Sequence, residues 1–376
     1  MVTNQHVVQD AKDITIVLRD GTSLNAEVLG RDQRTDLALL RVKTDKPLKA
    51  VRLGDSSKVT AGQKIAALAN ASVAEDSLKL GTVVALNVDL NVSPYVRFVE
   101  IDIGIPEGTS GTPLFNLDGE VIGVNAAVTP AGQNVNARFF AVPKMTAVAV
   151  IDQLRQFGEV RRGWIGVRIQ PVTEDIADSL GIKPVGALVA SVDGRGPAKS
   201  AGVEPGDVIV GFDGKDIKEI HDLPQLVAVT SPSKTVEIVV LRKGKEIKKT
   251  VTLGRLPEIA ASPATNAQPS KPTPTSPPPP GTKTTKVLGL DLAGLTDRLR
   301  EHYNVKSTAS GVVVTSGGDA SAISVGDVIL EVSGTPVASV ADMQRRVEEL
   351  KKSGNKTALL LIVNPDTRFF VALRLR

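Results

Sequence analysis

Valine, glycine and threonine recur in short runs along this 376-residue chain, a pattern that predicts many short strands joined by tight turns. The run that starts at Thr35-Asp36-Leu37-Ala38-Leu39-Leu40 leads straight into a buried strand. A helical period replaces it only locally. Apolar residues from Met145 to Phe157 fall at helical spacing and stop at Gly158, which predicts a helix closing a first domain, with a boundary near Arg161-Arg162-Gly163. A second boundary is compositional. Ser262 to Gly281 holds eight prolines, no large apolar residue and no period, so it reads as a polyproline linker, semi-rigid at Pro277 to Pro280.

The two sides of that linker repeat each other. Gly206-Asp207-Val208-Ile209 with Gly214 returns as Gly326-Asp327-Val328-Ile329 with Gly334. Gly186 to Val192 returns as Gly311 to Gly317, and Ile165-Gly166-Val167 as Leu288-Gly289-Leu290. Three matches in one order indicate a duplicated domain. Each copy reads as strand, short helix, strand, turn, strand, helix and two closing strands. The helices are expected near Glu174–Leu180, Asp222–Val229, Leu295–Glu301 and Val340–Lys351. The expected division is 1–160, 161–258, a linker over 259–283, and 284–376.

Composition narrows the chemistry. There is no cysteine, so neither a disulfide nor a thiolate metal site is possible, and with only three histidines a structural metal is not expected. Lack of cysteine suits an oxidising compartment. The 45 basic and 41 acidic residues are interspersed, which describes a solvated surface and not a nucleic-acid stripe. Aromatic residues are 3% of the chain, too few for base-stacking platforms. No run of eighteen apolar residues predicts a membrane span, and Met1 opens no charged-then-apolar leader. No phosphate-cradling glycine loop follows a strand, and no cofactor is expected. His221 and His302 read as surface residues of the repeats.

Three short segments carry candidate chemistry: Thr3-Asn4-Gln5-His6, Arg34-Thr35-Asp36-Leu37 and Gly108-Thr109-Ser110-Gly111. In that order they offer a base, an orienting carboxylate and a nucleophile. His6 is the only histidine before the serine, whereas Asp32 competes with Asp36 for the carboxylate role.

At this point the chain resembles a known family. The repeats are similar to PDZ domains of the permuted bacterial kind, with Trp164-Ile165-Gly166-Val167 and Val287-Leu288-Gly289-Leu290 in the place of the carboxylate-binding loop. A serine protease domain followed by two PDZ domains is the arrangement of the HtrA/Do-type (Deg) proteases of bacterial envelopes. Leu114 to Asn125 and Arg162 to Arg168 extend the likeness. The resemblance implies a mainly β chain with α+β modules, a chymotrypsin-like double β-barrel followed by two PDZ domains. It implies catalytic His6, Asp36 and Ser110, an oxyanion hole from the N–H groups of Gly108 and Ser110, and capture of peptide C-termini by the eight loop residues. Unfolded polypeptides would be the substrates, cut without ATP in periplasmic protein quality control and the stress response.

Relative to the family, strands before the histidine segment and the residues that knit trimers are expected to be missing, leaving the first barrel incomplete and a trimer in doubt. Thr109 and Thr112 stand where asparagine and glycine are usual. Phe139 replaces a glycine, where it would fill the primary specificity pocket or block the substrate edge. Ala69 to Val73 replaces a glycine-rich loop. The alternative reading is a catalytically impaired pseudoprotease, a chaperone-like PDZ scaffold.

Overall fold

A computed structural model describes the chain except residues 19, 69–77, 91, 104–108, 130–137, 258–276, 306–308, 318–322, 365–366 and 376. The replaced loop at 69–73, Gly108 and most of the proline-rich segment lie outside the described residues. The chain forms two compact units, Met1–Arg161 and Arg162–Arg376.

In the first unit, β1 (Val2–Asn4), β2 (Ile14–Val17), β3 (Ser23–Asp32) and β4 (Leu37–Val42) form an antiparallel sheet in the order β1-β4-β3-β2. It is a half-barrel. β4 is buried on both faces: Ala38 and Leu40 pack with Val8 and the apolar side of β2 and β3, while Leu37 and Leu39 face the other way. Two-sided burial is why this strand reads as a continuous apolar run.

A closed barrel follows, from β5 (Arg52–Leu53), β6 (Lys64–Leu68), β7 (Leu78–Val88), β8 (Phe98–Ile101), β9 (Pro113–Phe115), β10 (Glu120–Thr129) and β11 (Arg138–Pro143). Six strands run β11-β8-β7-β6-β9-β10, with β10 pairing back to β11, and β5 lies parallel beside β10. Ile65, Val83, Ile101, Leu114 and Ile122 fill the interior. Phe139 packs against that interior cluster, and its backbone pairs with Val128 on one side and Ile101 on the other, so this residue presents no open edge. Helix α1 (Lys144–Phe157) ends at Gly158 as its spacing predicts, and buries Ala147, Val150 and Leu154 against Leu37, Leu39, Phe98 and Phe140. One apolar cluster thereby fixes β4 and the barrel together.

The second unit holds the two repeats. The first has β12 (Gly163–Trp164), β13 (Val167–Pro171), α2 (Glu174–Leu180), β14 (Ala187–Val192), α3 (Pro197–Ser200), β15 (Val208–Phe212), β16 (Lys215–Asp216), α4 (Asp222–Val229), β17 (Thr235–Arg242), β18 (Lys245–Thr252) and β19 (Gly254–Arg255). Its sheet runs β13-β14-β15-β17-β18, with β13 at an edge. The second has β20 (Thr285–Val287), β21 (Leu290–Gly294), α5 (Asp297–His302), β22 (Val312–Ser316), β23 (Val328–Val332), β24 (Thr335–Pro336), α6 (Val340–Lys352), β25 (Thr357–Asn364) and β26 (Thr367–Arg374). Thr173, Thr296 and Ser339 cap α2, α5 and α6 through their hydroxyls, which fixes where these helices begin.

The β25–β26 hairpin packs on the first repeat. Leu359, Leu361 and Phe370 share an apolar cluster with Ile176, Ala177, Leu188 and Val208. The Gln170 amide donates to the Phe370 carbonyl at 2.9 Å and accepts from the Phe370 N–H at 2.7 Å, closing a peptide-like pair between the repeats.

The repeats diverge at one buried carboxylate. Asp207, 1% exposed, is held by a fork from Arg242, with Nε and Nη2 at 2.7 and 2.8 Å from its two oxygens. Strand register puts Asn364 where Arg242 stands. Asp327, 4% exposed, has no cation against it among the described residues and accepts from the Ser324 N–H. Burial pushes its carboxyl up to about 6. Since the unfolded value is roughly 3.9, the folded state holds this proton more tightly. The resulting destabilisation is absent below about pH 4, grows as pH rises toward 6 and is complete above it. Asp327→Asn is expected to stabilise the second repeat at pH 7.5 by about 2 kcal/mol, allowing for screening, and to gain nothing at pH 4. Thermal unfolding of both proteins at the two pH values checks this.

Candidate active site

The site begins at a two-residue overlap between β1 and the turn before β4. Asn4, fully buried, donates through Nδ2 to the Asp36 carbonyl at 2.8 Å, and the Gln5 N–H donates to the same oxygen at 3.0 Å. Asp36 adopts a left-handed backbone, φ 55°, which aspartate tolerates better than most side chains. That twist turns its carboxylate onto His6. One oxygen accepts from the His6 backbone N–H at 2.9 Å, and the other lies 2.6 Å from Nδ1 of the ring. A carboxylate only accepts, so Nδ1 carries a proton, and in the neutral ring it is Nε2 that keeps the lone pair. His6 is half exposed, leaving Nε2 reachable. Asp32, the competing carboxylate, is buried and accepts instead from the Thr35 hydroxyl.

Ser110 sits on a tight loop built from the barrel side. The Gly111 N–H donates to the Asn125 carbonyl at 2.8 Å, and the Asn125 N–H to the Thr112 carbonyl at 2.9 Å. The Thr112 hydroxyl donates to the Thr109 carbonyl at 2.7 Å and accepts from the Asn125 amide at 2.8 Å. Thr112, which the resemblance marks as a departure, therefore serves as a hydrogen-bonding clamp of the turn. Gly111 has φ 84°, and a methyl group there would lie 2.5 Å from the Thr3 hydroxyl and 3.0 Å from the Asn4 backbone nitrogen. The serine loop thus rests directly on β1, the strand that leads into the turn carrying His6. Gly111→Ala is expected to push the two apart and lower kcat/KM by about 100-fold, since a misplacement of roughly 1 Å costs that much. Steady-state cleavage of an unfolded protein, with circular dichroism to confirm folding, checks it.

Asn4 and Asn125 were not legible as site residues. Both are nearly inaccessible, both flank Gly111, and the side-chain oxygen of each has no hydrogen-bond donor among the described residues. The only signal in the sequence is an amide within a strand segment, at the end of β1 for Asn4 and in the middle of β10 for Asn125.

In the first repeat, Ile165 is buried and Trp164 half-buried, with the Trp164 ring against Gly166 and Gly254. The Ile165 and Gly166 carbonyls are tied down by the Ala198 and Asp193 N–H groups at 2.8 Å each. Their own N–H groups donate to no backbone carbonyl among the described residues. Val167 begins the edge strand β13. In the second repeat, Val287, Leu288, Gly289 and Leu290 are brought together differently, as the tip of a two-residue hairpin in which Val287 faces Leu290.

An imidazole held by a carboxylate, a serine turn resting on the strand before it and a loop that opens an edge strand invite comparison with known proteins. A family model for a trypsin-like peptidase domain matches residues 1–124, and one for a PDZ domain matches residues 163–253. A probable periplasmic serine endoprotease DegP-like of Brucella suis is 39% identical over 381 residues, covering 99% of this chain and 71% of that protein. The chain belongs to the DegP-like serine endoprotease family. A homologue of the same description from Hahella chejuensis is 35% identical, over all of this chain and 78% of its own length. Among solved structures, the HtrA-type protease AlgW with decapeptide superposes with a TM-score of 0.62 at 33% identity, over 69% of this chain and 80% of that one. The architecture is accordingly that of a trypsin-like half-barrel and closed barrel followed by PDZ-like α+β sheets. No helix among the described residues is long and apolar enough to cross a membrane.

Proposed function

We propose that this chain is an active, ATP-independent serine endopeptidase that cleaves unfolded envelope proteins in the periplasm. The observation that carries the reading is the double engagement of His6 by Asp36. With Nδ1–H held by the carboxylate, Nε2 removes the proton of Ser110 Oγ as that oxygen bonds to the scissile carbonyl carbon. The carbonyl oxygen takes the negative charge of the tetrahedral intermediate, for which the N–H groups of Gly108 and Ser110 are the donors; each such donor contributes roughly 3 kcal/mol in comparable enzymes. His6 then gives its proton to the leaving amine, the C–N bond breaks, and an acyl-Ser110 remains for water to hydrolyse by the same route.

Substrate capture falls to the PDZ modules. An extended peptide adds antiparallel to the open edge of β13, with its terminal carboxylate on the amides of Ile165, Gly166 and Val167. A second reading, a non-catalytic PDZ scaffold, draws on the four-stranded first sheet, in which β1 pairs only with β4 among the described residues. Digestion separates the two. A reduced, alkylated globular protein is expected to be cut and its native form left whole; no fragments from either, in a chain that binds apolar C-terminal peptides, would favour the scaffold.

A further inference from the structure

The two PDZ modules present opposite states of the same edge. In the first, β13 is the last strand of its sheet, and among the described residues nothing pairs with its outer side. In the second, the strand in the corresponding place is β21, and its outer side is taken by the chain itself: Thr285 faces Leu292, Lys286 faces Asp291 and Val287 faces Leu290. β20 packs against α6 as well as β21. It therefore lies between strand and helix, where an added peptide strand would go. Val287 is 7% exposed and fills the apolar space beside Met343, Val347 and Leu350.

The hairpin also consumes loop chemistry. The amide aligned with that of Val167 belongs to Leu290, and in a two-residue hairpin the pair that closes the turn exchanges both of its hydrogen bonds. The turn itself is strained. Leu288 and Gly289 have φ of 51° and 81°, and a left-handed leucine is costly where asparagine or glycine would not be. Such strain is expected of an element with a second arrangement to relax into.

We propose that Thr285–Val287 is an internal ligand of the second PDZ module, a pseudo-substrate strand that keeps its peptide edge closed until it is displaced. The proposal rests on the reading that these modules capture peptides. Tethering gives the internal strand an effective concentration in the millimolar range, so a free peptide of micromolar affinity has to compete with it. The first module then acts as the constitutive receptor and the second as a gated one.

Two substitutions move this equilibrium in opposite directions. Thr285 is exposed, and its pair with Leu292 is the next to exchange hydrogen bonds, so Thr285→Pro removes a donor from the hairpin without touching the Val287 pocket. Leu288→Gly relieves the left-handed residue and tightens closure by about fivefold. The test uses the full chain carrying Ser110→Ala to prevent cleavage, and a synthetic decapeptide with three apolar C-terminal residues and a benzophenone photo-crosslinker. Adducts are mapped by mass spectrometry, and amide exchange at Leu292 reports whether the hairpin has opened. We expect adducts on Asp222–Val229 in every variant. On Val340–Lys352 they should be scarce in the parent, at least tenfold more abundant with Thr285→Pro and lower still with Leu288→Gly. Equal α6 labelling with and without Thr285→Pro, whether high or absent, overturns the proposal once exchange shows the strand released. Absence of α4 adducts would instead overturn the peptide-capture reading.

Discussion

Replacing Ser110 by alanine is expected to abolish peptide hydrolysis, lowering kcat by on the order of 10⁵- to 10⁶-fold, and His6→Ala should cost about as much, because the two act as one unit. Asp36→Asn is the more informative change. The His6 backbone N–H and ring Nδ1 each require a partner on this side chain. An asparagine satisfies the backbone N–H only with its oxygen, which turns its NH₂ toward Nδ1. Nδ1 must then accept, the ring proton moves to Nε2, and the base is lost although the fold is unchanged. A fall of about 10³- to 10⁴-fold in kcat with little change in KM is the expected result. Steady-state kinetics on an unfolded substrate, with thermal unfolding as a control, measures it.

Arg242→Ala should produce the largest loss of stability. The substitution leaves Asp207 buried at 1% exposure with, among the described residues, only the Glu204 N–H at 2.9 Å to compensate a full charge. It also frees the Gly202 carbonyl, which Nη2 holds at 2.8 Å. Removing one partner of a buried ion pair costs about 3–5 kcal/mol, several times the worth of a surface bridge such as Lys248–Glu237. The double change Arg242→Ala with Asp207→Asn should recover most of the loss, because the stranded charge is gone. Denaturant unfolding of the three variants checks both statements. The second module has already made half of this change, with Asn364 in register with Arg242, and Asp327 responds by holding its proton up to about pH 6.

Much of this was legible because periodicity and motif order report local structure directly. Helix α2 and helix α4 span Glu174–Leu180 and Asp222–Val229, as spacing predicts, and α1 stops at Gly158. The pairing of His6 with Asp36 and not Asp32 follows the run of apolar residues after Asp36, which forces that residue to the mouth of a buried strand. What escaped the sequence depends on register and on contacts between distant segments. Val287-Leu288-Gly289-Leu290 has the apolar-glycine-apolar signature of Trp164-Ile165-Gly166-Val167, yet one forms a hairpin and the other an open loop. The difference lies in where the preceding chain runs: Gly163 and Trp164 pair with Gly254 and Arg255, whereas Thr285 to Val287 fold back on β21. Nothing local encodes that choice. Likewise Thr112 reads as a departure until Asn125, thirteen residues on, is seen to bond it. Phe139, one reading of which is a block at the substrate edge, has its backbone paired on both sides and packs against the barrel's interior cluster.

The most direct test of the central claim is labelling of the folded full chain with a fluorophosphonate probe, which bonds covalently to a serine only when a base activates it. The account predicts one label per chain, carried by the peptide that contains Ser110, and lost in Ser110→Ala and His6→Ala. An unlabelled chain that is folded and still captures apolar C-terminal peptides would contradict it and leave a peptide-binding scaffold in its place.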